Sequence, residues 1–150
     1  GLFRAQAESC GLGGCVEDHG LVSRQESIRL QQGADILLMA SWHMSSQKGI
    51  MTGKLFEYMM MDKPIICCMA GDLTGSPLAR LLDQTGVGLC CEQAAGEGDQ
   101  QKLRAYLQEL LTRWKAGQPL LNAQNRAEEF AYPQLAAKLS GWMEILDQKE

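Results

Sequence analysis

An α/β layer with a mainly parallel sheet flanked by helices is the fold class this sequence predicts, and three observations carry it. Three apolar runs of strand length, Ala34–Ala40, Pro64–Met69 and Val87–Cys91, are spaced along the middle of the chain. Helical patterns at Thr52–Met61, Pro77–Thr85 and Asp99–Lys115 alternate with them. The runs are apolar at nearly every position rather than at alternate ones, as expected of parallel strands covered on both faces. Right-handed crossovers would place the strand-exit loops along one edge, where ligands of open α/β sheets bind. The loops at 20–23, 41–53, 70–76 and 92–98 are expected to line that edge.

The chain opens with helical turns over residues 2–10, which Gly11-Leu-Gly-Gly14 stops. A start inside a helix is what a chain cut from a larger protein would show. Cys15–His19 reads as a weak strand. Ser23 followed by Glu26 forms a capping box for a helix over Arg24–Gln32, with Gly33 as the residue just past its end. After the Ala34–Ala40 strand comes a polar loop, Ser41–Gly53. Thr52 is the expected cap of the next helix, and Pro64 leads into the second strand. Ser76-Pro77 suits a cap followed by proline at the first helical position; Leu78, Leu81 and Leu82 point inward, and Gly86 closes the helix. Asp99 is expected to cap a long helix whose apolar face is Leu103, Tyr106, Leu107, Leu110, Leu111 and Trp114. Gly117-Gln-Pro119 breaks it, Leu120–Ala131 reads as helical, and Pro133 starts a last helix with Leu135, Leu139, Trp142, Met143 and Leu146 on one face.

At 150 residues the chain is one domain's worth. A hydrophobic share of 45% with 21% charged residues is that of a soluble globular domain, and a net charge of −4 argues against a nucleic-acid surface. No apolar run reaches the ~18 residues of a transmembrane helix, and the first residues lack a signal peptide's basic and apolar regions. The 6 cysteines include no C-x-x-C pair. Cys67–Cys68 and Cys90–Cys91 fall in strand-like runs, where neighbours point to opposite faces. They read as free core thiols, which implies a reducing, cytoplasmic compartment. His19 and His43 have no evident partner and read as structural or surface residues.

The chemistry concentrates in Gly49-Ile-Met-Thr-Gly-Lys-Leu-Phe-Glu-Tyr58 and the segment Asp62-Lys-Pro-Ile-Ile66 that follows. Gly53 permits close approach to the backbone, and Lys54 adds positive charge beside the unpaired N–H groups of a helix start. That combination suits an anion, above all a phosphate. One turn on, Glu57 could accept hydrogen bonds from sugar hydroxyls; its alternative is a surface pair with Lys54. Phe56 and Tyr58 read as core. A P-loop is rejected: Gly49-x-x-x-Gly53-Lys54 is one residue short of the motif, and Leu55 stands where the magnesium-binding hydroxyl belongs.

These residues resemble the donor-binding segment of GT-B-fold glycosyltransferases, closest to the family 4, group 1-like retaining enzymes that include sucrose synthases and many bacterial polysaccharide-biosynthesis enzymes. The resemblance covers residues 10–148. It implies a Rossmann-like lobe, one of the two in a GT-B fold, with the acceptor-binding lobe outside the chain. It also implies that Thr52, Gly53 and Lys54 hold the donor diphosphate and that Glu57 holds the ribose. Gly49 and Ile50 would lie near the transferred sugar, and Leu21 and Val22 near the base. Gly49 stands where many members carry a first glutamate, a departure that leaves nucleotide binding intact. A nucleotide-diphosphate sugar, UDP-sugars first among them, is the implied donor. No metal or other cofactor is expected, because the helix start would take the metal's electrostatic role. The expected partners are this donor and the acceptor lobe, with any contact to the inner membrane face made through that lobe and no nucleic acid. A nucleotide-sugar 2-epimerase of the same architecture and a non-catalytic α/β binding domain are the alternative readings.

Overall fold

The computed structural model describes residues 2–48, 51–121 and 126–147. The chain divides into two compact units, residues 1–32 and 33–150.

The first unit holds two helices, α1 (Leu2–Ser9) and α2 (Arg24–Gly33), with a short 3-10 turn at Gly13–Cys15 between them. The Gly11 N–H bonds the Glu8 carbonyl and the Leu12 N–H bonds the Ala7 carbonyl, a hydrogen-bond pair that seals the end of α1 as the glycine cluster predicts. Cys15–His19, expected as a weak strand, forms no strand: Cys15 ends the 3-10 turn and residues 16–19 join no regular element. A single short extended run has no ladder to join, and its backbone groups stay with water. Half of the expected capping box forms at α2, where the Glu26 N–H donates to Ser23 Oγ at 3.2 Å. The Glu26 carboxylate turns instead to Arg29, at 2.6 and 2.9 Å. Gly33 is the last residue of α2 rather than a left-handed cap beyond it.

The second unit is built on three parallel strands, β1 (Leu37–Trp42), β2 (Ile65–Ala70) and β3 (Gly88–Glu92), in the order β1-β2-β3. Helices α3 (Gly53–Met59) and α4 (Pro77–Thr85) make the two crossovers, and α5 (Glu97–Lys115) and α6 (Tyr132–Asp147) follow. This is an α/β parallel-sheet architecture compatible with a Rossmann-like fold. β1 starts three residues later than the apolar run suggests, because pairing begins where a partner exists: the Leu37 N–H meets the Pro64 carbonyl at 2.9 Å. It extends through Ser41 and Trp42 because β2 continues alongside to Ala70.

The core lies on one face of the sheet. Met39, Ile65, Cys67, Met69 and Cys90 pack there against Leu55 and Met59 of α3 and Leu78, Leu81 and Leu82 of α4. Burying each such leucine contributes about 1.5–3 kcal/mol. α4 is capped at both ends as expected, with Ser76 Oγ accepting from the Ala79 N–H at 3.1 Å and Gly86 left-handed after it. Gly88 sits flush against β2, where an added Cβ would fall 1.9 Å from the Ile65 carbonyl oxygen.

The other face differs from the expectation of double cover. Leu38 is 63% exposed, and Ala40, Cys68 and Ala70 are exposed too. The apolar faces of the last two helices are likewise largely open: Leu107, Leu111 and Trp114 on α5, and Leu135, Leu139, Trp142 and Met143 on α6. Leu110 alone of the α5 face is fully buried, with Leu103 and Tyr106 half-buried. Within the expected helix 120–131, residues 122–125 lie outside the described part and Ala127–Phe130 is a 3-10 turn. No helix among the described residues is long and apolar enough to cross a membrane.

Candidate functional site

Because the three strands are parallel, their C-terminal ends share one edge, and each is followed by a loop. Side chains that sequence reasoning left unassigned bind these loops together. The Glu92 carboxylate, at the end of β3, accepts from the Gly75 and Ser76 N–H groups at 2.7 and 2.8 Å. Burial works to raise Glu92, but the hydrogen bonds from Ser76 and Gly75 outweigh it and hold the carboxyl below its ordinary value. Asp99 in turn accepts from the Glu92 N–H at 2.8 Å and from Lys102 at 2.9 Å, and those two bonds lower it as well. Asp99 was expected to cap α5. It is instead the helix's third residue, with Gly96 in the cap position, and its carboxylate reaches back to the strand.

The loop after β2 is tied to the loop after β1 by the same kind of bond. Asp72 accepts from both the Ser45 hydroxyl, at 2.6 Å, and the Ser45 N–H, at 2.8 Å, which lowers its pKa. The Gly71 N–H donates to the Gln93 side chain at 3.0 Å. At Gly71 the backbone has φ +131° and a Cβ would lie 2.2 Å from the His43 carbonyl oxygen, so glycine is required there. His43 itself is buried, its N–H bonded to the Ala70 carbonyl at 2.8 Å. The exit loops of all three strands thus form one hydrogen-bonded rim. A sequence hint existed in the run Gly71-Asp-Leu-Thr-Gly-Ser76, which is too polar to be a bare connection.

α3 begins where the β1 exit loop ends. Thr52 occupies the cap position in extended backbone, yet its hydroxyl does not cap the helix. Its Oγ1 is occluded and has no hydrogen-bond partner among the described residues, and the same holds for Ser41 Oγ and Trp42 Nε1 at the end of β1. A buried polar atom left in this state costs about 1–3 kcal/mol. Gly53 faces open space, with nothing within 4 Å of where a Cβ would stand. Lys54 is exposed and forms no ion pair among the described residues. Glu57, half-buried one turn on, does not pair with it.

Leu55 and Met59 are the residues of α3 that enter the core. Tyr58 packs against that core, its hydroxyl donating to the Leu38 carbonyl at 3.4 Å; burial and the neighbouring Glu57 carboxylate push its phenol up. Phe56 lies 6.5 Å from Phe130, ring to ring. Tyr58 thus packs on the core as expected, whereas Phe56, expected there too, is 37% exposed and lies outside the core cluster. α3 is shorter than expected, ending at Met59, and Asp62 turns the chain in the left-handed region before Pro64.

Of the other expected site residues, Gly49 and Ile50 lie outside the described residues. Leu21 and Val22 belong to the first unit, Leu21 fully exposed and Val22 half-buried. A separate cleft lined by Gln84, Thr85, Arg126, Glu129 and Phe130 opens beside the C-terminal end of α4, the strand-entry side of the sheet. There Arg126 is already committed to Glu129 in a two-pronged ion pair.

Comparison with known proteins returned no match: no family model, no curated protein and no solved structure matches this chain.

Proposed function

We propose that this chain is the donor-binding lobe of a GT-B-type glycosyltransferase, binding a nucleotide-diphosphate sugar for transfer to an acceptor held by a separate lobe. The reading rests on the resemblance of the segment 49–66. One observation supports it most: among the described residues, at the start of α3, the Thr52 hydroxyl has no partner, Gly53 is open and Lys54 forms no ion pair, one turn before Glu57. A diphosphate brought there would accept from the free N–H groups, the hydroxyl and the ammonium together. Those donors would stabilise the charge developing on the leaving diphosphate, and Glu57 would orient the ribose and hence the bond being broken. No proton need be moved by α3 for that role.

The test is an NMR titration of the chain with UDP, GDP and ADP, repeated with Lys54→Ala and Glu57→Ala. Saturable shifts around residues 52–57 with one nucleotide, weakened about 10-fold or more by either substitution, are expected, since a charge-assisted hydrogen bond contributes about 1.5–3 kcal/mol. Shifts that ignore both substitutions would overturn the assignment to α3. Absence of shifts with all three at millimolar concentration would favour the non-catalytic reading, to which the glycine at position 49 already lends weight.

A further inference from the structure

The sheet aligns its four strand cysteines into two register pairs, Cys67 with Cys90 and Cys68 with Cys91. Adjacent parallel strands run about 4.8 Å apart, which lies inside the Cα separation of roughly 4.4–6.8 Å that a disulfide can span. Residues in register project to the same face, so each pair is a facing dithiol. The two pairs differ in access. Cys67 and Cys90 lie in the core at 0% and 8% exposure, beyond the reach of any oxidant in solution. On the open face, Cys68 is exposed and Cys91 is half-buried beside it. One thiol can be attacked or attack from solvent, and a second stands ready to resolve the product.

We propose that Cys68 and Cys91 form a redox-active dithiol that closes into a reversible disulfide by exchange with a low-molecular-weight disulfide. The Cys68 thiolate attacks one sulfur of the small disulfide, whose S–S bond breaks and releases one thiolate. The Cys91 thiolate then attacks Cys68 Sγ, forming the cross-strand bond and expelling the second small thiolate. The two protein thiols lose two electrons and two protons, and the small disulfide leaves as two thiols. This role is independent of donor binding.

Burial and the neighbouring Cys90 push the Cys68 thiol up, and burial with Cys68 and Asp99 pushes Cys91 up to about 11. Thiols that keep their protons exchange slowly, so closure belongs on a scale of minutes to hours. Slow closure describes a response to sustained oxidation rather than a rapid switch.

The test incubates the folded full chain with oxidised glutathione, quenches with acid, blocks remaining thiols and weighs the protein. Expected is a species carrying four blocking groups where the reduced chain carries six, linking the peptides that carry residues 67–68 and 90–91, and carrying six when dithiothreitol is added before the blocking. Both register pairs fall in those same peptides, so Cys68→Ser assigns the bond, with circular dichroism confirming its fold. The link should vanish in Cys68→Ser and persist when Cys10 and Cys15 are both replaced by serine. Persistence of the link in Cys68→Ser would place it in the core pair and overturn the proposal. A stable glutathione adduct on Cys68 without any link, or unchanged thiols at Cys68 and Cys91, would overturn it equally.

Discussion

The two faces of the sheet are made of the same kinds of residue and have opposite fates. One carries Met39, Cys67 and Cys90 in a row and is sealed by α3 and α4; the other carries Ala40, Cys68 and Cys91 in the adjacent row and is open at Leu38, Ala40, Cys68 and Ala70, though Ile66 on it is buried. Hydrophobicity does not distinguish them, but topology does. The order β1-β2-β3 advances in one direction, and two successive right-handed crossovers in one direction deliver both helices to the same side. Covering the second side takes a helix that enters from elsewhere. Among the described residues of this unit, α5 does so only beside β3, where Cys91 Sγ lies 3.8 Å from the Asp99 carbonyl. Apolar strands therefore say that a face can be buried, while connectivity decides which one is.

The largest test of this contrast is a cavity in the sealed layer. Leu82 is 0% exposed in α4 and packs in the core cluster. Leu82→Ala should cost about 2–5 kcal/mol, the range for leucine truncations in close-packed interiors. Denaturant unfolding followed by circular dichroism measures it, and a cost under about 1 kcal/mol would mean the α4 side is no better packed than the open one.

The distance between sequence and structure follows the same division between local and non-local causes. α4 was legible residue by residue, because Ser76, Pro77 and Gly86 each act on their own backbone within one turn. The division of each Cys-Cys pair between two faces was legible too, since strand alternation is local. The start of β1 was not, because it depends on where Pro64 and Ile65 arrive from a distant part of the chain. Asp99 looked like a cap by position, but its carboxylate found a better donor in the Glu92 N–H, brought close by folding. Helical periodicity in α5 and α6 identified an apolar stripe and was silent on what would cover it. At the candidate site, the residue types of α3 were readable from the motif, whereas the rim of Glu92, Asp72 and Gln93 exists only once three loops meet.

That rim supplies a test of intermediate size. Glu92 holds Gly75 and Ser76 from a 7% exposed position on the sealed side. Glu92→Gln keeps the shape and removes the charge, and should cost about 1.5–3 kcal/mol, the range for hydrogen bonds to charged groups. The pH dependence has a definite sign. Glu92 and Asp99 both have folded pKa values below their ordinary ones, so their stabilisation is present above the unfolded carboxylate values and is lost as pH falls through the folded ones. Wild-type stability measured by urea unfolding should therefore decline below about pH 4–5, and Glu92→Gln should flatten that decline. An unchanged acid profile in the variant would show that the carboxylate contributes no linkage there.

The smallest effect belongs to the open face and closes the comparison from the other side. Leu38 neighbours the sealed Leu37 and Met39 in the same strand, yet it is 63% exposed where they are each 4% exposed. Its carbonyl, not its side chain, meets the Tyr58 hydroxyl, so truncation leaves that bond in place. Leu38→Ala should change stability by no more than about 0.5 kcal/mol, as for surface positions generally, and should leave the denaturant slope unaltered. A loss near the about 2–5 kcal/mol expected for Leu82→Ala would mean that something covers this face in solution, and would make Cys68 as inaccessible as Cys67. The same substitution therefore bears on the dithiol: only a near-neutral Leu38→Ala is compatible with a Cys68 that small disulfides can reach.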